Sequence, residues 1–143
     1  MSIKFKKMNI LIINGPNLNL LGTREPDIYG HTTMEDCLKD LDNNFKDVHT
    51  INYYQSNIEG EIINRIQEDN FDALIINPGA YTHYSFAIAD CLKNVKKPKI
   101  EVHISNIYQR EEFRQKSVTA ANCDAVLSGF GIKGYKLAIQ SLS

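Results

Sequence analysis

The chain has 143 residues and a mass of 16.3 kDa, about one domain's worth. Its 43% hydrophobic and 23% charged content is ordinary for a globular protein and excludes wholesale disorder. Sixteen Lys and Arg against 17 Asp and Glu leave a formal charge of −1, so no global electrostatic case exists for nucleic acid or an anionic membrane as partner.

In chain order, residues 1–9 carry Lys4, Lys6 and Lys7, and residues 1–7 read as a flexible N-terminal extension. The apolar run 10–13 is too short for a secretory h-region or a membrane span, so the cytoplasm is the expected location. That run reads as a first strand and stops at the turn-forming Asn14, Gly15, Pro16 and Asn17. A long connection over residues 18–31 follows, with Gly22, Arg24, Pro26, Tyr29 and Gly30; a loop of this length inside a compact domain is often functional. Thr32 or Thr33 caps a helix whose apolar positions are Met34, Cys37, Leu38, Leu41 and Phe45, with Glu35 and Asp36 favoured by the helix dipole.

Residues 48–53 have strand composition, and Asn57 is the expected cap of a second helix through Ile58, Ile62, Ile63 and Ile66. A third strand, 73–76, ends at Asn77, Pro78 and Gly79, and a third helix is expected from about His83 to Asn94. Residues 100–104 and 125–127 complete five strands, and a closing helix carries Tyr135, Leu137, Ala138, Ile139 and Leu142. Short apolar strands alternating with helices predict a doubly wound parallel α/β sheet, flavodoxin-like at this size, in the order 2-1-3-4-5.

Ligands in such sheets collect at the carboxyl ends of the strands, where Asn14, Asn17 and Asn77 fall. The fourth strand is more telling. Alternation puts Ile100, Val102 and Ile104 on one face and Glu101, His103 and Ser105 on the other, successive members roughly 6.5–7 Å apart. Either that polar face is exposed on an edge strand, or it presents a positioned acid–base histidine with Glu101 governing its orientation or charge. On a continuous third helix His83 and Asp90 lie two turns apart on one face, suited to opposite sides of a polyol, although Asp90 also fits a solvated face. Arg110 and Arg114 suit a carboxylate or phosphate, or else simple surface pairs with Glu111 and Glu112. The three cysteines, Cys37, Cys91 and Cys123, have neither disulfide nor zinc-ligand spacing and read as buried thiols. Gly129, Gly131 and Gly134 form a GxGxxG only nine residues from the end, so a tight turn and close helix packing explain them better than a dinucleotide site.

These segments together resemble the type II 3-dehydroquinate dehydratases. The resemblance is carried by residues 14–22, by Arg24-Glu25-Pro26 with Tyr29-Gly30, by residues 77–83, 101–106 and 110–114, and by Gly129 to Tyr135. It implies one domain over 1–143, cofactor-free and metal-free, with residues 18–31 as an active-site lid. It implies anti elimination of water from 3-dehydroquinate to 3-dehydroshikimate by a homo-oligomer, usually a dodecamer of four trimers. The family's base matches Tyr29, its general acid His103 and its transition-state arginine Arg24. Asn17 matches the residue that holds a water near the enolate, and Glu101 sits beside the acid. Substrate contacts match Asn77, His83, Asp90, Ile104, Ser105 and Arg114. Tyr84, Phe86, Tyr108 and Lys116 depart from the commoner family pattern.

Overall fold

The computed structural model describes residues 6–23, 27 and 31–142. Tyr29 and Arg24, with the rest of 24–26 and 28–30 of the expected lid, and the first five residues of the expected extension lie outside the described residues. Five strands, β1 (Met8–Asn14), β2 (His49–Gln55), β3 (Ala73–Asn77), β4 (Lys99–His103) and β5 (Ala125–Ser128), form one sheet. All pairings are parallel and the order is β2-β1-β3-β4-β5, as the sequence predicts.

Four helices cover the sheet among the described residues: α1 (Met34–Phe45), α2 (Glu59–Gln67), α3 (Phe86–Lys93) and α4 (Lys133–Ser141). Strand alternation sorts the core into two layers. Ile10, Ile12, Ala73, Ile75, Ile100 and Val102 meet α1 and α4 on one face. Leu11, Ile13, Leu74 and Ile76 meet Ile62 and Ile66 of α2 and Ile88, Cys91 and Leu92 of α3 on the other. The three central strands are sealed on both sides; β1 and β3 accordingly run apolar on both faces, while β4 buries a polar face with Glu101 and His103.

Of the helix starts, one agrees with the sequence reading and two differ. Thr33 does cap α1, its hydroxyl accepting from Asp36 N at 3.1 Å. Asn57 does not cap α2, which starts at Glu59 after Ile58. Its Oδ1 instead accepts from Asn17 N at 3.0 Å and Gln55 Nε2 at 3.1 Å, while Ser56 takes up the helix start by accepting from Ile58 N at 2.9 Å. The third helix begins only at Phe86, capped by Ser85 Oγ accepting from Ile88 N at 3.0 Å. Residues Gly79–His83 form a separate 3-10 turn, so His83 and Asp90 do not share a helix and their two-turn spacing is lost.

The carboxyl ends of β1 and β3 are held against each other. Gly15 N donates to Asn77 O at 2.8 Å, and a Cβ at Gly15 would lie 2.3 Å from the Pro78 carbonyl oxygen, so only glycine fits. Gly129, at φ +94°, packs against Asn106, and Gly134 leaves room for Val102, in keeping with the turn-and-packing reading of the late glycines.

Candidate active site

A cleft of about 150 Å³ opens at the carboxyl ends of β1, β3 and β4. The turn after β1 supplies Pro16, Asn17 and Leu18, and β3 with its turn supplies Asn77, Gly79, Ala80 and His83. The end of β4 supplies His103, Ile104 and Ser105, and the stretch after it Ile107, Arg110 and Arg114. Of the residues expected from the sequence, Asn17, Asn77, His83, His103, Ile104, Ser105 and Arg114 therefore line one space. Glu101 stands just behind them, hydrogen-bonded to His103. Asp90 does not line the cleft; it is exposed on α3.

Strand β4 is an interior strand, flanked by β3 and β5, which removes the exposed-edge explanation for its polar face. Glu101 is fully buried and His103 nearly so. A buried carboxylate is costly unless its lone pairs are filled. Here Glu101 Oε2 accepts from His103 Nε2 at 2.7 Å, Ser117 Oγ at 3.0 Å and Thr82 Oγ1 at 3.2 Å, and Oε1 accepts from Thr119 Oγ1. Burial by itself pushes the Glu101 carboxyl up; the hydrogen bonds and the His103 charge outweigh it and hold the group below its ordinary 4.5. The imidazole is thereby locked through Nε2, and Nδ1 is the nitrogen left for chemistry.

The second histidine is fixed differently. His83 Nδ1 lies 2.7 Å from the Lys116 carbonyl oxygen. A carbonyl only accepts, so Nδ1 carries the proton and Nε2 is left towards the cleft.

Asn77 is held from both ends. Its Oδ1 accepts from Gly79 N at 3.1 Å and its Nδ2 donates to Tyr135 OH at 3.1 Å. Tyr135 in turn donates to Asn14 Oδ1 at 2.7 Å. Asn14 and Asn77 are register partners at the ends of neighbouring strands, and alternation turns both towards α4, where Tyr135 is completely buried. Burial pushes the Tyr135 phenol far above its ordinary value, so it stays a neutral donor. Asn14 thus braces Asn77 from the core and does not line the cleft.

Arg110 and Arg114 converge on the cleft without a helix between them. Each lies in or beside a separate short 3-10 turn, Ile107–Gln109 and Glu112–Arg114. Arg110 Nη1 donates to Ser105 Oγ at 3.2 Å. Glu111 Oε2 lies 3.2 Å from Arg114 Nε and 3.8 Å from Arg110 Nε, but Arg114 Nε is buried without hydrogen-bond alignment to any acceptor. Glu111 is more than half exposed, so both pairs are weak in water and a bound anion can displace them.

Arg110, which the sequence offers either as an anion ligand or as a surface partner of Glu111 and Glu112, joins Arg114 in the cleft lining. The hydroxyls of Thr82, Ser117 and Thr119 carry no motif of their own; the single hint is Ser117-x-Thr119, two hydroxyls one residue apart and hence on one side of an extended stretch.

The model of the family described as dehydroquinase class II matches residues 8–143. The chain belongs to the class II dehydroquinase family. It is 56% identical over 137 residues to a 3-dehydroquinate dehydratase of Caldicellulosiruptor bescii, covering 93% of this chain and 94% of the relative. It is 53% identical over 134 residues to a 3-dehydroquinate dehydratase of Thermotoga petrophila, covering 93% of each. The crystal structure of a type II dehydroquinase from Butyrivibrio crossotus superposes with a TM-score of 0.92 at 50% identity, covering 95% of this chain and 97% of that one. Among the described residues of this dehydroquinase, no helix is long and apolar enough to cross a membrane.

Proposed function

We infer that the chain is a 3-dehydroquinate dehydratase, a hydro-lyase that removes water from 3-dehydroquinate to give 3-dehydroshikimate in the shikimate pathway. Family membership together with the His103–Glu101 pair buried at the mouth of a polar cleft carries this reading.

The reaction removes a C2 proton alpha to a ketone and expels the C1 hydroxyl. Proton loss creates an enolate, which hydrogen-bond donors must stabilise. Tyr29 is the proposed base and Arg24 the cation beside it that favours the tyrosinate, since free tyrosine ionises near pH 10. Arg24 retains its own charge throughout. His103, oriented by Glu101 through Nε2, delivers a proton from Nδ1 to the departing hydroxyl. Asn17, on its left-handed turn at φ 68°, holds a water near the developing enolate.

Asn77, fixed by Gly79 and Tyr135, sets the pose of the ring. His83 Nε2 accepts from one ring hydroxyl; Asp90, outside the cleft of its own chain, is assigned to a ring hydroxyl in the cleft of a neighbouring subunit of the proposed assembly. Arg114 takes the carboxylate, and the Ile104–Ser105 backbone and side chain make further contacts with the substrate. Residues 18–31 close over the substrate and exclude water. No metal or organic cofactor enters the scheme. The remaining proposals are a single domain over 1–143, a cytoplasmic location, and assembly as a dodecamer of four trimers.

The test is direct. Incubation with 3-dehydroquinate is expected to produce the absorbance of the conjugated enone product. Folded, assembled protein that yields no product would reject the assignment.

A further inference from the structure

The hydroxyl groups around Glu101 form a closed cluster. Thr82 Oγ1 lies 2.6 Å from Ser117 Oγ and 2.7 Å from Thr119 Oγ1, and the last two are 3.1 Å apart. Thr82 and Thr119 are fully buried, as is Glu101. Three hydroxyls and the His103 Nε2–H bring four protons to the cluster. Among the described residues, none of these hydroxyls has an acceptor outside it. The hydroxyl oxygens can accept as well, as Ser117 does from Ala120 N, but all four protons point to one shared group, the two oxygens of Glu101. A neutral carboxylic acid would turn one of those oxygens into a donor and weaken it as an acceptor for the groups already aimed at it, so the four converging donors favour the carboxylate.

The same short stretch also reaches the other histidine. Lys116 supplies the carbonyl that accepts from His83 Nδ1 at 2.7 Å, one residue before Ser117. Val118 N donates to Thr82 O at 2.7 Å between the two hydroxyl residues, and Ala120 N donates to Ser117 Oγ at 3.0 Å. Residues 116–119 are thus stitched along the 3-10 turn that follows β3, touching one histidine through the backbone and the other through Glu101.

We propose that residues 116–119, with Thr82, form a positioning strap: its hydroxyls hold Glu101 as the carboxylate that orients His103, while its Lys116 carbonyl fixes His83, so one segment sets both histidines of the cleft. Thr82, Ser117 and Thr119 are positioning residues, because they act through Glu101. The role rests on the dehydratase reading for its kinetic consequence but not for its effect on Glu101 itself. The strap's hydroxyls favour the ionised carboxylate, so their removal moves Glu101 protonation to higher pH. Several other charged or titratable groups lie near the pair. On β4, the Lys99 ammonium is bound by the Leu92 and Val95 carbonyls at 2.5 and 2.8 Å. Asp124 accepts from Lys99 N at 3.0 Å, and the Cys123 thiol precedes it on the approach to β5. His83 stands on the turn after β3, and Arg110, Glu111 and Arg114 lie across the cleft. None of these contributes a hydrogen bond to Glu101.

The experiment compares Thr119→Val, which keeps the volume and loses the hydroxyl, with Thr119→Ser, which keeps the hydroxyl. Glu101 protonation is followed by infrared titration of the protonated-carboxyl C=O stretch, with Glu101→Gln identifying the band. Turnover of 3-dehydroquinate is measured in parallel. Thr119→Val is expected to move the Glu101 midpoint upwards by about one pH unit and to lower kcat roughly tenfold at nearly constant KM. Thr119→Ser is expected to restore both. An unmoved midpoint in Thr119→Val, or a Thr119→Ser variant as defective as Thr119→Val, overturns the proposal. So does a wild-type Glu101 that is already protonated at neutral pH. Ser117→Ala, at a half-buried site, gives the same readouts if Thr119→Val does not fold. A wild-type protein that makes no product sinks the dehydratase reading alone, and the infrared arm still decides the strap.

Discussion

At the scale of single residues, the contrast between Tyr135 and Tyr29 is instructive. A buried phenol such as Tyr135 is held neutral by desolvation and serves only as a hydrogen-bond bridge between Asn14 and Asn77. A phenol acting as base needs a neighbouring cation, which Tyr29 has in sequence at Arg24. Tyr29→Phe and His103→Ala are each expected to lower kcat by about 10²–10⁴-fold, the usual worth of a general base or acid, while substrate binding by calorimetry persists. Near-normal turnover in Tyr29→Phe would show the base to be another group. The cysteines behave in the opposite sense to reactive thiols. Burial, with a smaller push from Asp40, raises Cys37 to about 11, and burial with the Glu101 charge raises Cys123 to about 12. At pH 8 the thiolate fraction of Cys37 is then on the order of one in a thousand. A disulfide reagent is expected to leave both thiols unmodified in native protein and to titrate all three after denaturation.

At the scale of elements, the site depends on how tightly the ends of β1 and β3 are joined. With 2.3 Å between a Gly15 Cβ and the Pro78 carbonyl oxygen, Gly15→Ala forces two backbone segments apart. A denaturant titration is expected to show a loss of about 1–3 kcal/mol, and turnover should fall too, because Asn17 and Asn77 sit on the two displaced turns. The elements and the two-layer core were legible because apolar β-branched runs and helical spacing each report a local period, and the strand order followed from the flavodoxin-like arrangement expected of such an alternation at this size. The facing of Glu101 and His103 away from Ile100 and Val102 followed from the same alternation. Depth in the sheet did not, since a polar strand face looks alike at an edge or over a satisfied network; β4 is interior, paired with β3 and β5, and distant Thr82, Ser117 and Thr119 make its polar face tolerable by filling the Glu101 lone pairs. The start of α3 was misread for a similar reason. His83 fits a helical period, but Ser85 supplies a better cap, and His83 is diverted to the Lys116 carbonyl. Asn57 was drawn away from α2 by the backbone of Asn17, forty residues earlier.

At the scale of the whole molecule, acid stability is set by two buried groups with different windows. His49, at the start of the edge strand β2, is almost completely buried and its Nδ1 accepts from Met8 N at 3.2 Å, a bond that needs an unprotonated nitrogen. Burial lowers its pKa from 6.5, so the unfolded chain takes up this proton more readily than the folded one. The contribution of His49 is therefore complete above about pH 6.5 and declines as pH falls below that value. Glu101 is depressed below 4.5, so its contribution is complete above that value and is lost only as pH falls through the lower folded value. Thermal unfolding between pH 8 and pH 3 is expected to show a first decline in Tm starting near the His49 reference value and a second below that of Glu101. His49→Asn keeps an acceptor for Met8 N and removes the titration, so it should flatten the first decline and leave the second. Glu101→Gln should flatten the second and leave the first. A first decline that persists in His49→Asn would assign the proton uptake to another group and detach acid stability from the β1–β2 edge.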